Sequence, residues 1–432
     1  MPPPDPSDRH SEVKMARQAS LVHGRGSGQR RTHNPPASGQ FNVQAKSGEP
    51  PAYSFVDLPN PNGTAPFHKD LDQIVSVADY NAITRAGSLT FHVVGDTGDH
   101  RGGQKDFVAN MMTNDANAMG PQEPAFCYHL GDLVYFAGDA DLYSENFYET
   151  YKDYPSFIVA ITGNHDCYPI DVQGDRTSQG SDHLESGKGA WDGFITNFMA
   201  DDPSVQGSPT TGAERTVMDL PNVYWTLNTP FATFIGLCSN VGESEAVIKQ
   251  DQIDWFEDEV KNAPADRPLI VAIHHPPYSG DMEHSGSSKA EEVLFGAFEK
   301  YDIYPTLILS GHVHNYQRFT KRVTNAAGVE LSIPCVVSGN GGYTKLGELQ
   351  KVGGAKPPRP FEVQAGLELS AYDDKHFGFV RFKVEGDIVT GTYIGETYVA
   401  GENITGTVYE TFDINWRNHT VATTASNWPA GL

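Results

Sequence analysis

Cysteine is scarce: four residues in 432, Cys127, Cys167, Cys238 and Cys335, with no CxxC pair among them. That excludes a zinc ribbon and leaves no spacing on which to build a disulfide framework. Cys127, Cys238 and Cys335 stand inside apolar runs, where a free thiol behaves as a small hydrophobe. Long hydrophobic runs are missing too. No stretch approaches the ~20 apolar residues of a membrane span, and no Sec-type leader is visible in the first fifty residues. Basic residues are the third deficit, with 31 Lys+Arg against 55 Asp+Glu and a net charge of −24. Phosphate backbones are bound by basic surface, so nucleic acid is not the expected partner. A small anion would bind this protein only where positive charge is supplied locally, as by a metal ion.

The basic charge that exists sits early. Residues 1–50 hold seven Lys/Arg and four Asp/Glu, net +3, which leaves −27 for the remainder. The same residues are rich in Pro, Gly, Ser, Arg and His without apolar periodicity, the composition of a flexible tail. The expected organisation is therefore a largely flexible tail over 1–87, a folded domain over 88–415 and a short extension over 416–432.

From residue 88 the sequence alternates short apolar runs with helical patterns. Strands are predicted at 89–94, 125–130, 157–161, 268–273 and 306–309, and helices at about 105–119, 249–262 and 287–300. Strands alternating with helices predict an α/β fold. Near the C-terminus, 377–384 and 388–394 alternate in period two around Glu385-Gly386-Asp387, a hairpin, and 407–414 reads as a further strand. Residues 167–190 and 278–289 are Gly/Ser/Asp-rich loops leaving polar strand ends, where they would wall a site.

Each of the five early strands ends in a polar cluster. Pooled, these clusters contain Asp96, Asp132, Tyr135, Asn164, His165, His274, His275, His312 and His314. In open α/β sheets ligands bind beyond the carboxyl ends of the strands, so the clusters are expected to converge. Carboxylate, amide and imidazole together form a ligand set for first-row transition metals. A lone Gly-Asp is a common turn and a lone buried histidine is usually a hydrogen-bonded core residue. Five such clusters in order are hard to explain as turn chemistry. Arg318, the basic residue nearest the last cluster, reads as a solvated strand position.

The series GDTG (95–98), GDLVY (131–135), GNHD (163–166), VAIH (271–274) and GHVH (311–314) resembles the signature of the calcineurin-like metallophosphoesterases. More narrowly it is similar to the purple acid phosphatases. Many relatives place a His two residues after the first Asp, where this chain has Gly98. Many also have Asp where this chain has Tyr135, whereas the purple acid phosphatases have Tyr there. The resemblance covers roughly residues 88–395, including SGNGG (338–342) and FGFVRF (377–382).

What the resemblance implies is a four-layer α/β/β/α sandwich of two mixed sheets with a dinuclear metal site at the strand ends. Asp96, Asp132, Tyr135 and His314 would hold Fe(III). Asp132, Asn164, His274 and His312 would hold a divalent iron, zinc or manganese ion, with Asp132 bridging. A hard trivalent ion suits phenolate and carboxylate, and a divalent ion suits amide and imidazole. His165 and His284 would be the catalytic histidines, and Asn164, His165, His275 and His284 would contact substrate. The implied activity is hydrolysis of phosphate monoesters by in-line attack of a metal-activated hydroxide, with a small phosphorylated substrate as partner. The alternatives are a phosphodiesterase or nucleotide hydrolase on the same centre, and a metal-free binding scaffold. A scaffold would be missing ligands, and every ligand type is present. The family is often exported, but the sequence assigns no compartment and no oligomeric state.

Overall fold

Seven successive residues, Ser88–Val94, are all buried, and period-two apolar faces recur in the strands that follow. Such segments must be covered on both sides, which two sheets and flanking helices achieve. The structure, a computed structural model, describes residues 41–44, 55–98, 103–135, 137–167, 190–200, 215, 218–240, 245–402 and 404–429. Among them the strands are β1 (His68–Asp70), β2 (Ser88–Val94), β3 (Phe126–His129), β4 (Phe157–Ala160), β5 (Trp225–Asn228) and β6 (Thr233–Leu237). They continue as β7 (Leu269–Ile273), β8 (Leu307–Ser310), β9 (Tyr316–Thr324), β10 (Glu330–Ser338) and β11 (Phe361–Gln364). The last are β12 (Leu367–Asp373), β13 (Phe377–Glu385), β14 (Ile388–Glu396), β15 (Thr407–Asn415) and β16 (Thr420–Ser426). The helices are α1 (Val77–Ala86), α2 (Gln104–Met119), α3 (Asp192–Phe198), α4 (Gln250–Lys261) and α5 (Ser288–Tyr301). None of the described helices is long and apolar enough to cross a membrane.

Both sheets are mixed. One has the order β16-β15-β14-β13-β2-β3-β4, and the other β1-β5-β6-β7-β8-β10-β9-β12-β11. The predicted α/β class with a C-terminal hairpin is what the fold shows, but the five motif strands divide between the sheets. β2, β3 and β4 run parallel in the first, and β7 and β8 run parallel in the second. The sheets meet through Phe91 and Phe126 against Phe234, at 5.1 and 5.4 Å between ring centroids, and Tyr128 against Trp225 at 5.7 Å. Each fully buried side chain of this size contributes about 1.5–3 kcal/mol. On the far face of the second sheet, Ile235, Val271, Ile273 and Ile308 pack with Phe256, Val260, Leu294 and Phe298 from α4 and α5. On the first sheet, α2 buries Phe107, Val108, Met111 and Met112 and lies against β13. All four cysteines are free and buried.

Two expectations are corrected. Residues 55–87, read as the end of a tail, are folded: β1 pairs with β5, and Leu71 and Val75 enter the core. Their signal is weak in sequence because β1 has three residues and α1 buries none of its side chains. Residues 1–40 and 45–54, the rest of that tail except 41–44, lie outside the described residues, as does most of the 167–190 loop. In the C-terminal extension, β16 adds an edge strand beside β15. Arg318 is buried, not solvated. Its guanidinium donates to the Glu410 carboxylate and to Thr423 Oγ1 at 3.0 Å, above the Phe412 ring. It takes no part in the site.

Candidate metal centre

The polar clusters follow their strands through tight backbone, and three of the predicted ligands occupy the left-handed region: Asp96 (φ 59°), Asp132 (φ 56°) and His312 (φ 67°). A non-glycine residue there costs of order 1–3 kcal/mol and persists only where its surroundings over-determine it. Here they do. The Asp96 N–H donates to the Gly131 carbonyl (3.1 Å), the Asp132 N–H to Asp166 Oδ2 (2.8 Å) and the His312 N–H to Asp96 Oδ2 (2.8 Å). Asp166 also accepts from Gly163 N (2.8 Å), Leu133 N (2.9 Å) and Val134 N (3.3 Å). One buried carboxylate thus ties the second and third clusters together, a part its position in GNHD only hints at.

All seven predicted ligands converge. The Tyr135 hydroxyl lies 2.8 Å from Asp132 Oδ2, 3.3 Å from Asp96 Oδ1 and 3.3 Å from His314 Nε2. Asn164 Oδ1 lies 3.1 Å from both His274 Nε2 and His312 Nδ1. Asp132 Oδ1 is 3.5 Å from His274 Nε2, and Asp96 Oδ1 is 3.5 Å from His314 Nε2. One atom each from Asp96, Asp132 and His274 falls within 4.8 Å of the others.

The donors fit a cation. His274 Nδ1 lies 2.7 Å from the Leu130 carbonyl, so that nitrogen carries a proton and donates it. Its Nε2 then faces the oxygens of Asn164 and Asp132, an arrangement that only a proton or a metal ion makes favourable. Without a metal, burial would lower this imidazole, but Asp132 overrules it and raises the value to about 9. Burial works against ionising Asp132 as well, yet His274, His165 and His312 hold it well below the usual carboxylate range. Asp96 is pushed well above that range by burial and by Asp132, against the pull of His274. Burial, Asp132 and Asp96 raise the Tyr135 phenol well above its ordinary value. Two carboxylates and a phenol so placed can all be anionic only beside positive charge.

The remaining expected residues line this group. The His165 ring stands 4.3 Å from that of Tyr135, and the His165 backbone N–H donates to Asp132 Oδ1 at 2.9 Å. The His284 ring contacts those of His312 (5.0 Å) and His314 (5.1 Å) and is partly exposed. His275 is buried, with Nδ1 2.7 Å from Ser239 Oγ and its ring 4.2 Å from that of His312. Tyr278, four residues after His274, donates its hydroxyl to Glu291. Two residues escaped the sequence reading. Tyr343 packs on both Tyr135 (4.7 Å) and His314 (4.3 Å), and its N–H donates to the Asp96 carbonyl (2.9 Å). It directly follows SGNGG, the signal that could have found it. His129 accepts from Gly131 N at Nδ1 (3.3 Å) and meets Thr97 Oγ1 through Nε2 (2.8 Å). Burial holds it neutral down to about 3.

Residues 89–316 match the family described as calcineurin-like phosphoesterase. Purple acid phosphatase 22 of Arabidopsis thaliana is 30% identical over 149 residues, a match spanning 32% of this chain and 29% of that protein. Among solved structures, PhoD is similar at a TM-score of 0.50 and 11% identity, covering 80% of this chain and 73% of PhoD, a likeness of fold alone. GAP50, the anchor in the inner membrane complex of Plasmodium, aligns at a TM-score of 0.47 and 13% identity over 74% of this chain and 88% of that one.

Proposed function

The chain belongs to the calcineurin-like phosphoesterase family, and from that premise we propose that it is a metallophosphoesterase hydrolysing phosphate monoesters in the manner of the purple acid phosphatases. The observation that carries this reading is the buried Tyr135 hydroxyl, set among Asp132, Asp96 and His314 at 2.8–3.3 Å. A phenolate in that position serves a hard trivalent ion. The packing at Gly98, where a side chain has no room beside Leu133, supports the same branch, as does the likeness to a plant purple acid phosphatase.

In this reading Asp96, Asp132, Tyr135 and His314 would hold Fe(III), and Asp132, Asn164, His274 and His312 would hold a divalent iron, zinc or manganese ion. Bound there, the ions supply Lewis acidity towards phosphoryl oxygens and lower the pKa of water. The protein's own groups do the rest. The Leu130 carbonyl fixes which His274 nitrogen faces the site. Asn164 Oδ1 is held between His274 and His312, and its amide would contact the substrate. His165, at the mouth beside Tyr135, passes a proton to the leaving ester oxygen. His284, against the His312 and His314 rings, orients the phosphoryl group. His275, braced on Ser239, aligns the His312 ring beneath it. The substrate is a small phosphorylated molecule, whose anionic group this acidic protein meets through its metals.

The test is metal analysis with a visible spectrum, followed by turnover of p-nitrophenyl phosphate against bis-p-nitrophenyl phosphate. Near-stoichiometric iron, a visible band that Tyr135→Phe abolishes and preference for the monoester are expected. Two non-iron metals, no colour and diester preference would replace this reading with the phosphodiesterase one.

A further inference from the structure

We propose that residues Phe41–Gln44 form a positioning strap for the loop 277–286, which carries His284; the functional weight of that loop rests on the reading of His284 given above. The Val43 carbonyl accepts from Ser279 N (2.9 Å) and from Gly286 N (3.1 Å), so one strap carbonyl closes both limbs of the loop. Gln44 bridges Gly286 along the backbone, and its side-chain amide donates to the Pro277 carbonyl at 3.2 Å and to Glu291. Gln350 staples strap to loop. Its Oε1 accepts from Asn42 N (3.1 Å), and its Nε2 donates to the Asn42 carbonyl (2.7 Å) and the Asp281 carbonyl (2.9 Å).

Asp281 carries the connection onward to the site. Its Oδ1 accepts from Glu283 N (2.7 Å) and His284 N (2.8 Å), while its Oδ2 accepts from Asn315 Nδ2 (3.1 Å), next to His314. The loop's composition fits the strap as well. A Cβ at Gly280 would sit 2.4 Å from Phe41 Cζ, and one at Gly286 would sit 2.4 Å from the Val43 carbonyl oxygen. Neither glycine has a positive φ, so close approach is what both positions require: by Phe41 of the strap at Gly280, and at Gly286 by Val43 together with the loop's own Tyr278 Cα (2.6 Å) and Pro277 carbonyl oxygen (2.7 Å). Val43 itself is buried with Tyr278 and Leu349. A polar loop of this kind would otherwise open locally at little cost. Holding it fixes the wall from which His284 faces the centre.

The experiment uses the full-length, metal-loaded protein with Val43→Asp, and Val43→Ile as the conservative control. It reads amide exchange across 277–286 together with kcat/KM for p-nitrophenyl phosphate. Val43→Asp should strip protection from Ser279 and Gly286 while β7 and β8 keep theirs, and kcat/KM should fall by up to ~10²-fold. Val43→Ile should restore both. Gln350→Ala removes the staple without burying a charge and should give the same local loss if Val43→Asp does not fold. Unchanged protection in a folded strap variant overturns the strap. Lost protection, with kcat/KM unaltered in Val43→Asp and also in His284→Ala, supports the strap and overturns the role of His284 instead.

Discussion

Adding a single methyl group at residue 98 would load the centre at its tightest backbone crossing. An ideal Cβ there lies 2.1 Å from the Leu133 carbonyl oxygen, 2.4 Å from its carbonyl carbon and 2.6 Å from Val134 Cα. All three are backbone atoms, so no side-chain rotation relieves the overlap. Carbon and oxygen rest comfortably at about 3.3 Å, and the two segments must therefore part by on the order of 1 Å. Forced overpacking of this kind costs ~1–3 kcal/mol. The strands of backbone involved are joined by Tyr135 N to the Gly98 carbonyl (3.1 Å) and Thr97 N to the Asp132 carbonyl (3.2 Å). The displacement therefore passes directly to Asp132 and Tyr135, and a misplacement of 1 Å can lower turnover by ~10²-fold. Gly98→Ala should lose about 1–3 kcal/mol in urea unfolding, weaken the visible band of the iron-loaded protein and cut kcat/KM for an aryl phosphate by ~10²-fold. Wild-type stability, colour and turnover in this variant would refute the reasoning, because they would mean that the two loops separate freely.

Three further outcomes are expected. Arg318→Met leaves the Glu410 carboxylate buried without its cation and should lose ~3–5 kcal/mol in urea unfolding, most of it recovered in Arg318→Met/Glu410→Leu. His129 stays neutral in the fold down to about 3, whereas in the unfolded chain it takes up a proton near its ordinary value of 6.5. Its contribution is therefore complete above that pH and is lost as the pH falls, by up to ~1.4 kcal/mol per unit. Urea unfolding from pH 6.5 to 4 should show a shallower dependence in His129→Gln, and identical slopes would show that His129 titrates alike in both states. His165→Ala should keep its metal content while turnover slows ~10²–10⁴-fold. Loss of metal in that variant would make His165 a structural residue.

How much was legible varies with the range of the interaction. The clusters after β2, β3, β4, β7 and β8 could be read because polar residues ending an apolar run, with a glycine before them in all but the β7 cluster, form a local signal. The period-two hairpin of β13 and β14 was legible for the same reason. Nothing local tells that β13 inserts beside β2, or that the five motif strands belong to two different sheets. Arg318 illustrates the limit: its neighbours in sequence suggest a solvated strand, while its buried state depends on Glu410, ninety-two residues away. Asp166 shows another, since its place in GNHD suggests a capping residue but not that it caps four amides from two loops.

The sequence by itself determined the chemistry available: the ligand types, their order and the strand ends that carry them, because composition and short-range periodicity are properties of the chain alone. The tertiary structure decided which groups meet. It set the Tyr135 phenol among Asp132, Asp96 and His314, turned His274 so that Nε2 faces the centre, packed Tyr343 on two of the candidate ligands and ran residues 41–44 across the His284 loop. Those are contacts between segments remote in sequence, fixed by the packing of two sheets, and no local pattern encodes them.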